Sequence, residues 1–222
     1  MAKKIGLLLS GCGVYDGAEI HESVCAMLAI DRAGCEIVCM APDIEQYHVV
    51  NHLTGEVAEG EKRNVLVEAA RIARGNIKKI TDISVSDIDA LIIPGGFGSA
   101  KNLSTYAFDG EKCRVNEDVK RLVQEVVGAG KPVGAICISP VVIAKIFEGT
   151  DVKPELTIGN DADTSEKIEK MGATHCQCSV SEFHIDEKNK IVSTPAYMLG
   201  TRISEVAEGI EKLVKSVIDL CR

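Results

Sequence analysis

Short apolar runs that read as β-strands alternate with amphipathic helical stretches along the chain, and this alternation limits the fold more than any other feature. The runs KIGLLLS, EIVCMA, DALIIPGG and KPVGAIC are separated by AEIHESVCAMLAIDRAG, NVLVEAARIAR and NEDVKRLVQEVVGAG. That order is the signature of βαβ units, hence of an α/β fold with a doubly wound, mostly parallel sheet covered by helices on both faces. The consecutive apolar residues of LLL and LII suit strands buried on both sides. From Asn116 to Ala129, the positions Val119, Leu122, Val123, Val126 and Val127 share one helical face, and Gly130 and Pro132 close the helix. FHIDEKNKIVSTP predicts a β-hairpin turning at Glu187 to Asn189, and Ile203 to Leu220 reads as a last amphipathic helix.

With 222 residues, 45% of them hydrophobic, one compact domain spanning 1–222 is expected. Acidic residues outnumber basic ones by 33 to 25, and no Lys/Arg run interleaves with aromatics, so nucleic acid is not an expected partner. Nine cysteines, an odd number, lie mostly in apolar runs. They predict reduced thiols and a cytoplasmic location rather than a disulfide framework. MAKKIGLLLSGC superficially imitates a lipoprotein signal, but its apolar run Ile5 to Leu9 falls short of the roughly 7 residues a signal core needs and is taken as the first strand. No stretch reaches the ~18 apolar residues of a membrane span, so no membrane partner is expected. A homodimer is allowed but not required.

In an open α/β sheet, ligands gather beyond the carboxyl ends of the strands. Four loops leave strands there: SGCGVYDG, APDIEQYHVVNH, PGGFGSAKN and CISP. The second belongs to an irregular stretch, APDIEQYHVVNHLTGEVAEGEKR, of a length usually functional or disordered. In GKPVGAICISPVVIAKIF, Cys137 ends a strand and precedes Pro140, a residue suited to a helix's first turn. Exposed N–H groups there would lower the thiol pKa and make a nucleophile; the plain alternative is a buried strand-end cysteine. PGGFG lacks the G-x-G-x-x-G spacing of a dinucleotide loop, so it is either an oxyanion-binding turn or simply a tight one. Glu22, beside Ile20 and Val24, would by default face solvent. His175, Cys176, Cys178 and His184 lack the spacing of a zinc site, and the two cysteines are assigned to the core; no metal is expected.

Taken together, LLLSGCGVYDGAEIHES, LIIPGGFGSAKNLS and KPVGAICISP resemble the ThiJ/PfpI superfamily of class I glutamine amidotransferase-like proteins. APDIEQYHVVNHLTGE, RNVLVEAARIARG and NKIVSTPAYM resemble, more narrowly, the ElbB family of isoprenoid-biosynthesis-associated glyoxalases. The resemblance implies a flavodoxin-like sandwich, Cys137 as nucleophile, Glu22 as the carboxyl bonded to its sulfur, and oxyanion donors from Gly95, Gly96 and Ile138. Where superfamily members carry a histidine after the cysteine, this chain has Ile138, and ELTIGND carries none either, so a Cys-His-Glu triad is not expected.

The implied activity is a glyoxalase without cofactor or glutathione, converting a small 2-oxoaldehyde to a 2-hydroxy acid. Such chemistry needs a nucleophile, a proton carrier and an oxyanion site. His48 and His52 are candidate helpers for the proton, and Asn102 is a further candidate helper at the site. The rival expectation is a redox-sensing or partner-binding protein in which Cys137 is oxidised.

Overall fold

The computed structural model describes residues 2–221. Strand β1 (Lys4–Leu8) leads into α1 (Ile20–Arg32) and back to β2 (Glu36–Ala41). A hairpin of β3 (Val50–Asn51) and β4 (Glu56–Val57) follows, then α2 (Val65–Ile72) and the short β5 (Lys78–Lys79). Next come β6 (Ala90–Ile93), α3 (Phe97–Lys101), α4 (Tyr106–Asp109), α5 (Glu117–Gly128), β7 (Val133–Ile136) and α6 (Pro140–Phe147). Strands β8 (Glu155–Leu156) and β9 (Thr174–His175) flank α7 (Ala162–Lys170) and pair with each other. The hairpin β10 (His184–Asp186) and β11 (Ile191–Thr194) precedes the closing helix α8 (Ile203–Leu220).

The main sheet has the order β10-β11-β7-β6-β1-β2-β5, and every pairing is parallel except that of β10 with β11. The chain winds outward from β1 through β2, then returns to the other side of β1 with β6. Strand order therefore reverses between β1 and β6, which opens a crevice at their carboxyl ends. This is the flavodoxin-like, mostly parallel sandwich expected from the alternating pattern.

Period-two alternation sends Leu7 and Ile92 to one face and Leu8, Leu91 and Ile93 to the other, and all five are fully buried. Helices α5 and α6 cover the second face with Leu122, Val126, Val142 and Ile146. Helices α1 and α8 cover the first with Ala26, Ile30, Leu213 and Val217. Asn116 caps α5 by accepting from the N–H groups of Asp118 and Val119 at 3.0 and 3.2 Å, so the helix starts where the sequence pattern places it. In the C-terminal hairpin, Asp186 accepts from the backbone and side chain of Asn189 at 3.0 and 2.7 Å, which closes the expected turn.

Two expectations change. The long stretch after β2 is a folded loop: it holds the β3–β4 hairpin, and Gln46, Val49 and Val50 are buried. Cys176 and Cys178 do not belong to the core, because the strand stops at His175 and both thiols are only half-buried. Two cysteines beside a short edge pair have no second layer to pack against.

Helix α8 approaches the sheet over Gly134, where an added Cβ would lie 2.9 Å from Leu213 Cδ2. Leu213 is fully buried in that contact. Leu213→Ala should cost about 2–5 kcal/mol in chemical denaturation, through lost burial and the cavity left behind.

Candidate active site

Cys137 occupies the corner between β7 and α6 with φ at +61°, a left-handed conformation that side chains other than glycine rarely adopt. Its N–H donates to Thr194 O at 2.9 Å, which ties the corner to β11. Ser139 Oγ donates to Pro94 O at 2.7 Å, and Ser99 Oγ reaches the same carbonyl at 3.0 Å. These buried hydroxyls clamp the corner against the turn after β6. Pro140 opens α6 at its first position, as expected.

Glu22 points inward. Its side chain is completely buried, although helical periodicity alone assigns it to solvent. Gly95 N–H donates to Oε2 at 2.8 Å and Tyr197 N–H reaches Oε1 at 3.4 Å. The Cys137 thiol donates to the same carboxylate. Burial, reinforced by nearby Glu19, pushes the Glu22 pKa up to about 7. Glu19 itself caps α1, accepting from Glu22 N–H at 2.7 Å.

The same burial raises the Cys137 thiol well above its ordinary value, and the Glu22 charge raises it further. The lowered pKa expected at a helix N-terminus is therefore not found. The N–H groups of Gly96 and Ile138 do donate to the sulfur and pull in the lowering direction, but desolvation outweighs them. Near neutrality this pair of acids carries at most one charge, which lies on the carboxylate when Glu22 is ionised, with the thiol as its donor.

Gly95 is glycine for want of space: a Cβ there would lie 2.5 Å from Cys137 Cβ and 2.8 Å from Glu22 Oε2. Gly96 adopts φ +87°, and a Cβ would meet Glu19 N and Gly17 O, both at 2.5 Å. Because the Gly95 N–H is committed to Glu22, the backbone donors at the sulfur among the described residues are those of Gly96 and Ile138.

A cavity of about 330 Å³ opens over Cys137, lined by Glu19, Gly96, Tyr106, Ile138 and Tyr197 and otherwise by apolar side chains. His48, His52 and Asn102 do not line it. Asn102 is spent on structure, donating to Ser10 O and Asp16 O at 2.9 Å each and accepting from Tyr47 N–H at 3.0 Å. His52 accepts from Tyr15 N–H at 3.2 Å through Nε2 and contacts Val50 O at 3.0 Å through Nδ1. His48 packs its ring on Tyr47 and Phe108. The helper role expected of these three has no geometric support.

Sequence reasoning missed Tyr197 and His21. Tyr197 lines the cavity, and its hydroxyl lies 2.8 Å from His21 Nδ1. The signal was available: β11 runs parallel to β7, so STPAYM is a fifth loop leaving a strand on the ligand side. Of the residues weighed as metal ligands, Cys176 and His184 do come together, but with Glu155 rather than Cys178. His184 Nε2 already bonds Glu155 Oε2 at 3.0 Å.

Residues 12–153 match the DJ-1/PfpI family. The chain belongs to that family. It is 46% identical to the ES1 protein homolog, mitochondrial, of Rattus norvegicus, across 98% of this chain and 84% of the relative. Identity is also 46% with the glutamine amidotransferase-like class 1 domain-containing protein 3, mitochondrial, of Homo sapiens, across 99% of this chain and 84% of the relative. A crystal structure of an isoprenoid biosynthesis protein with amidotransferase-like domain from Ehrlichia chaffeensis superposes with a TM-score of 0.93 at 39% identity over all of both chains. Glyoxalase III from Candida albicans shares the fold at 18% identity and a TM-score of 0.59, over 99% of this chain and 98% of that one. The mitochondrial relatives overturn the expected cytoplasmic location. Unpaired thiols separate reducing from oxidising surroundings and carry no information that distinguishes one reducing compartment from another.

The buried Glu22 carboxyl makes stability depend on pH. Because its folded pKa of about 7 exceeds its ordinary value of 4.5, its contribution is complete below pH 4.5 and is lost as pH rises through 7. Comparing urea unfolding at pH 5 and pH 8, the wild type should lose on the order of 3 kcal/mol more than Glu22→Gln, which carries no ionisable group there.

Proposed function

We propose that the protein is a cofactor-independent glyoxalase of the ElbB type, converting 2-oxoaldehydes to 2-hydroxy acids. The observation that carries the reading is the Cys137 thiol hydrogen-bonded to a buried carboxyl whose pKa is about 7, with two N–H donors at the sulfur. The similarity to the Ehrlichia isoprenoid biosynthesis protein supports the subgroup.

Glu22 takes the thiol proton as the sulfur adds to the aldehyde carbon, and the resulting oxyanion meets the N–H groups of Gly96 and Ile138. The hemithioacetal then loses its C–H proton to a base, and the adjacent ketone carbon gains one. An enediol is the intermediate, and the product is the thioester of a 2-hydroxy acid. Water cleaves that ester and returns the thiol. No net oxidation occurs, since one carbon gains the hydride equivalent that its neighbour loses. A base of pKa near 7 suits this shuttling at neutral pH. The Tyr197 hydroxyl, backed by His21, supplies a second proton-bearing group at the cavity wall.

A peptidase reading has a relative behind it, the putative cysteine protease YraA of Bacillus subtilis, 29% identical across 72% of this chain and 76% of that protein. It lacks the histidine that would protonate a leaving amine: among the described residues no histidine lines the cavity or bonds the sulfur. The redox-sensing reading ranks below the enzyme because a raised thiol pKa leaves little thiolate to oxidise.

Lactate formation from methylglyoxal without glutathione tests the proposal. Cys137→Ala should abolish it, and Glu22→Gln should lower kcat at least about 100-fold, the lower end of general-base contributions. Ionised Glu22 is the active form, so kcat/KM should rise with pH and level off above a midpoint near 7. Full turnover in Cys137→Ala would remove the reading.

A further inference from the structure

The cavity over Cys137 is too large and too apolar for the smallest aldehydes. We propose that its substrate is an uncharged 2-oxoaldehyde bearing an apolar tail, with the dicarbonyl head at the sulfur and the tail in the chamber between α3, α4 and Met198. This rests on the glyoxalase reading above and names the substrate class of that site.

Three observations carry it. The first is size. At about 330 Å³ the cavity falls within the roughly 300–1,000 Å³ range of pockets that enclose drug-sized ligands, and a three-carbon aldehyde would leave most of it to water. The second is lining: Val14, Phe97, Ala100, Ala107, Ile138 and Met198 present hydrocarbon, and the polar side chains among them are few. Water held against such a wall is released when an apolar tail replaces it.

The third is charge. The ionisable side chains on the wall are those of Glu19, Tyr106, Cys137 and Tyr197; among the described residues no lysine, arginine or histidine lines it. Lys101, a cation beside the wall residue Phe97, donates to Tyr15 O at 3.0 Å and rests over the Phe97 ring at 4.9 Å. A carboxylate or phosphate on the substrate would share the cavity with the Glu19 carboxyl, with no cation among the described wall residues to offset it. The amides at the sulfur are the anion site, and the reaction's own oxyanion occupies it.

The width of the chamber is set by two small residues. Ala100 on α3 is buried at 3% exposure, and Ala107 stands on α4 at the open side. A larger side chain at Ala107 would take space that the tail needs.

The experiment compares kcat/KM of the purified protein for methylglyoxal, 2-oxooctanal and phenylglyoxal, with a 2-oxoaldehyde ending in a carboxylate as the charged control. A parallel series measures how octan-2-one and octanoate protect Cys137 from iodoacetamide. Each methylene buried should raise kcat/KM about fourfold until the chamber is full, mainly through KM. The charged control should fall below methylglyoxal, and Ala107→Phe should cut the 2-oxooctanal to methylglyoxal ratio at least about tenfold. Octan-2-one should protect the thiol and octanoate should not. Turnover of methylglyoxal with no gain from the longer chain, or with a gain from the carboxylate, overturns the substrate class and leaves the glyoxalase reading standing. Protection by octan-2-one with no turnover of any aldehyde removes the glyoxalase reading while the apolar, neutral chamber stands. Absence of both effects removes both.

Discussion

A thiol and a carboxyl share a hydrogen bond where neither is solvated, and the rest of the site is arranged around that contact. Moving either group from water would favour its neutral form, and bringing both together forbids two charges at once. At least one proton therefore stays on the pair. The Gly95 N–H donates to the carboxyl and stabilises the charge when it lies there, while the Gly96 and Ile138 N–H groups do so when it lies on sulfur. Gly95 makes the contact feasible, because any Cβ would stand between Cys137 and Glu22.

The sheet supplies the precision. Cys137 and Gly95 follow neighbouring parallel strands, β7 and β6, and Glu22 is carried by the helix after β1, the next strand along. The reversal of winding between β1 and β6 opens the space into which α1 sends its buried carboxyl. The +61° φ of Cys137 is an unfavourable conformation, and it is held by the bond to Thr194 and by the Ser99 and Ser139 hydroxyls on Pro94 O. Strain of this kind persists where surrounding contacts over-determine the backbone.

Alternation of apolar strands with amphipathic helices made the architecture legible, because burial on both faces leaves a two-sided sheet few other arrangements. Pro140 and the paired glycines located the corner and the facing turn. The orientation of Glu22 was not legible: its neighbours Ile20 and Val24 are both largely exposed, so the local pattern points the wrong way round the helix. The thiol pKa was misjudged for a related reason. A helix N-terminus is visible in the sequence, whereas desolvation by residues scattered from Glu22 to Tyr197 is a property of the assembled fold. Loop histidines looked available because a sequence does not show which ring nitrogens are already bonded, as both are in His52.

The missing histidine changes what the site can do, and the replacement is informative. A hydrolase that expels an amine needs an acid beside the sulfur to protonate the leaving group, and a histidine serves because it is charged and reloads from water. Here Ile138 takes that position and adds hydrocarbon to the cavity wall. The proton inventory within reach is instead a carboxyl of pKa about 7 and a tyrosine hydroxyl bonded to His21, which is exposed. On the proposed reading, this suits a reaction that expels nothing in its difficult step: the proton leaves one carbon and arrives at the next, so one buried base can serve both ends. An apolar wall helps that step by limiting exchange of the carried proton with bulk water. On that reading, the missing imidazole and the apolar wall favour the same chemistry.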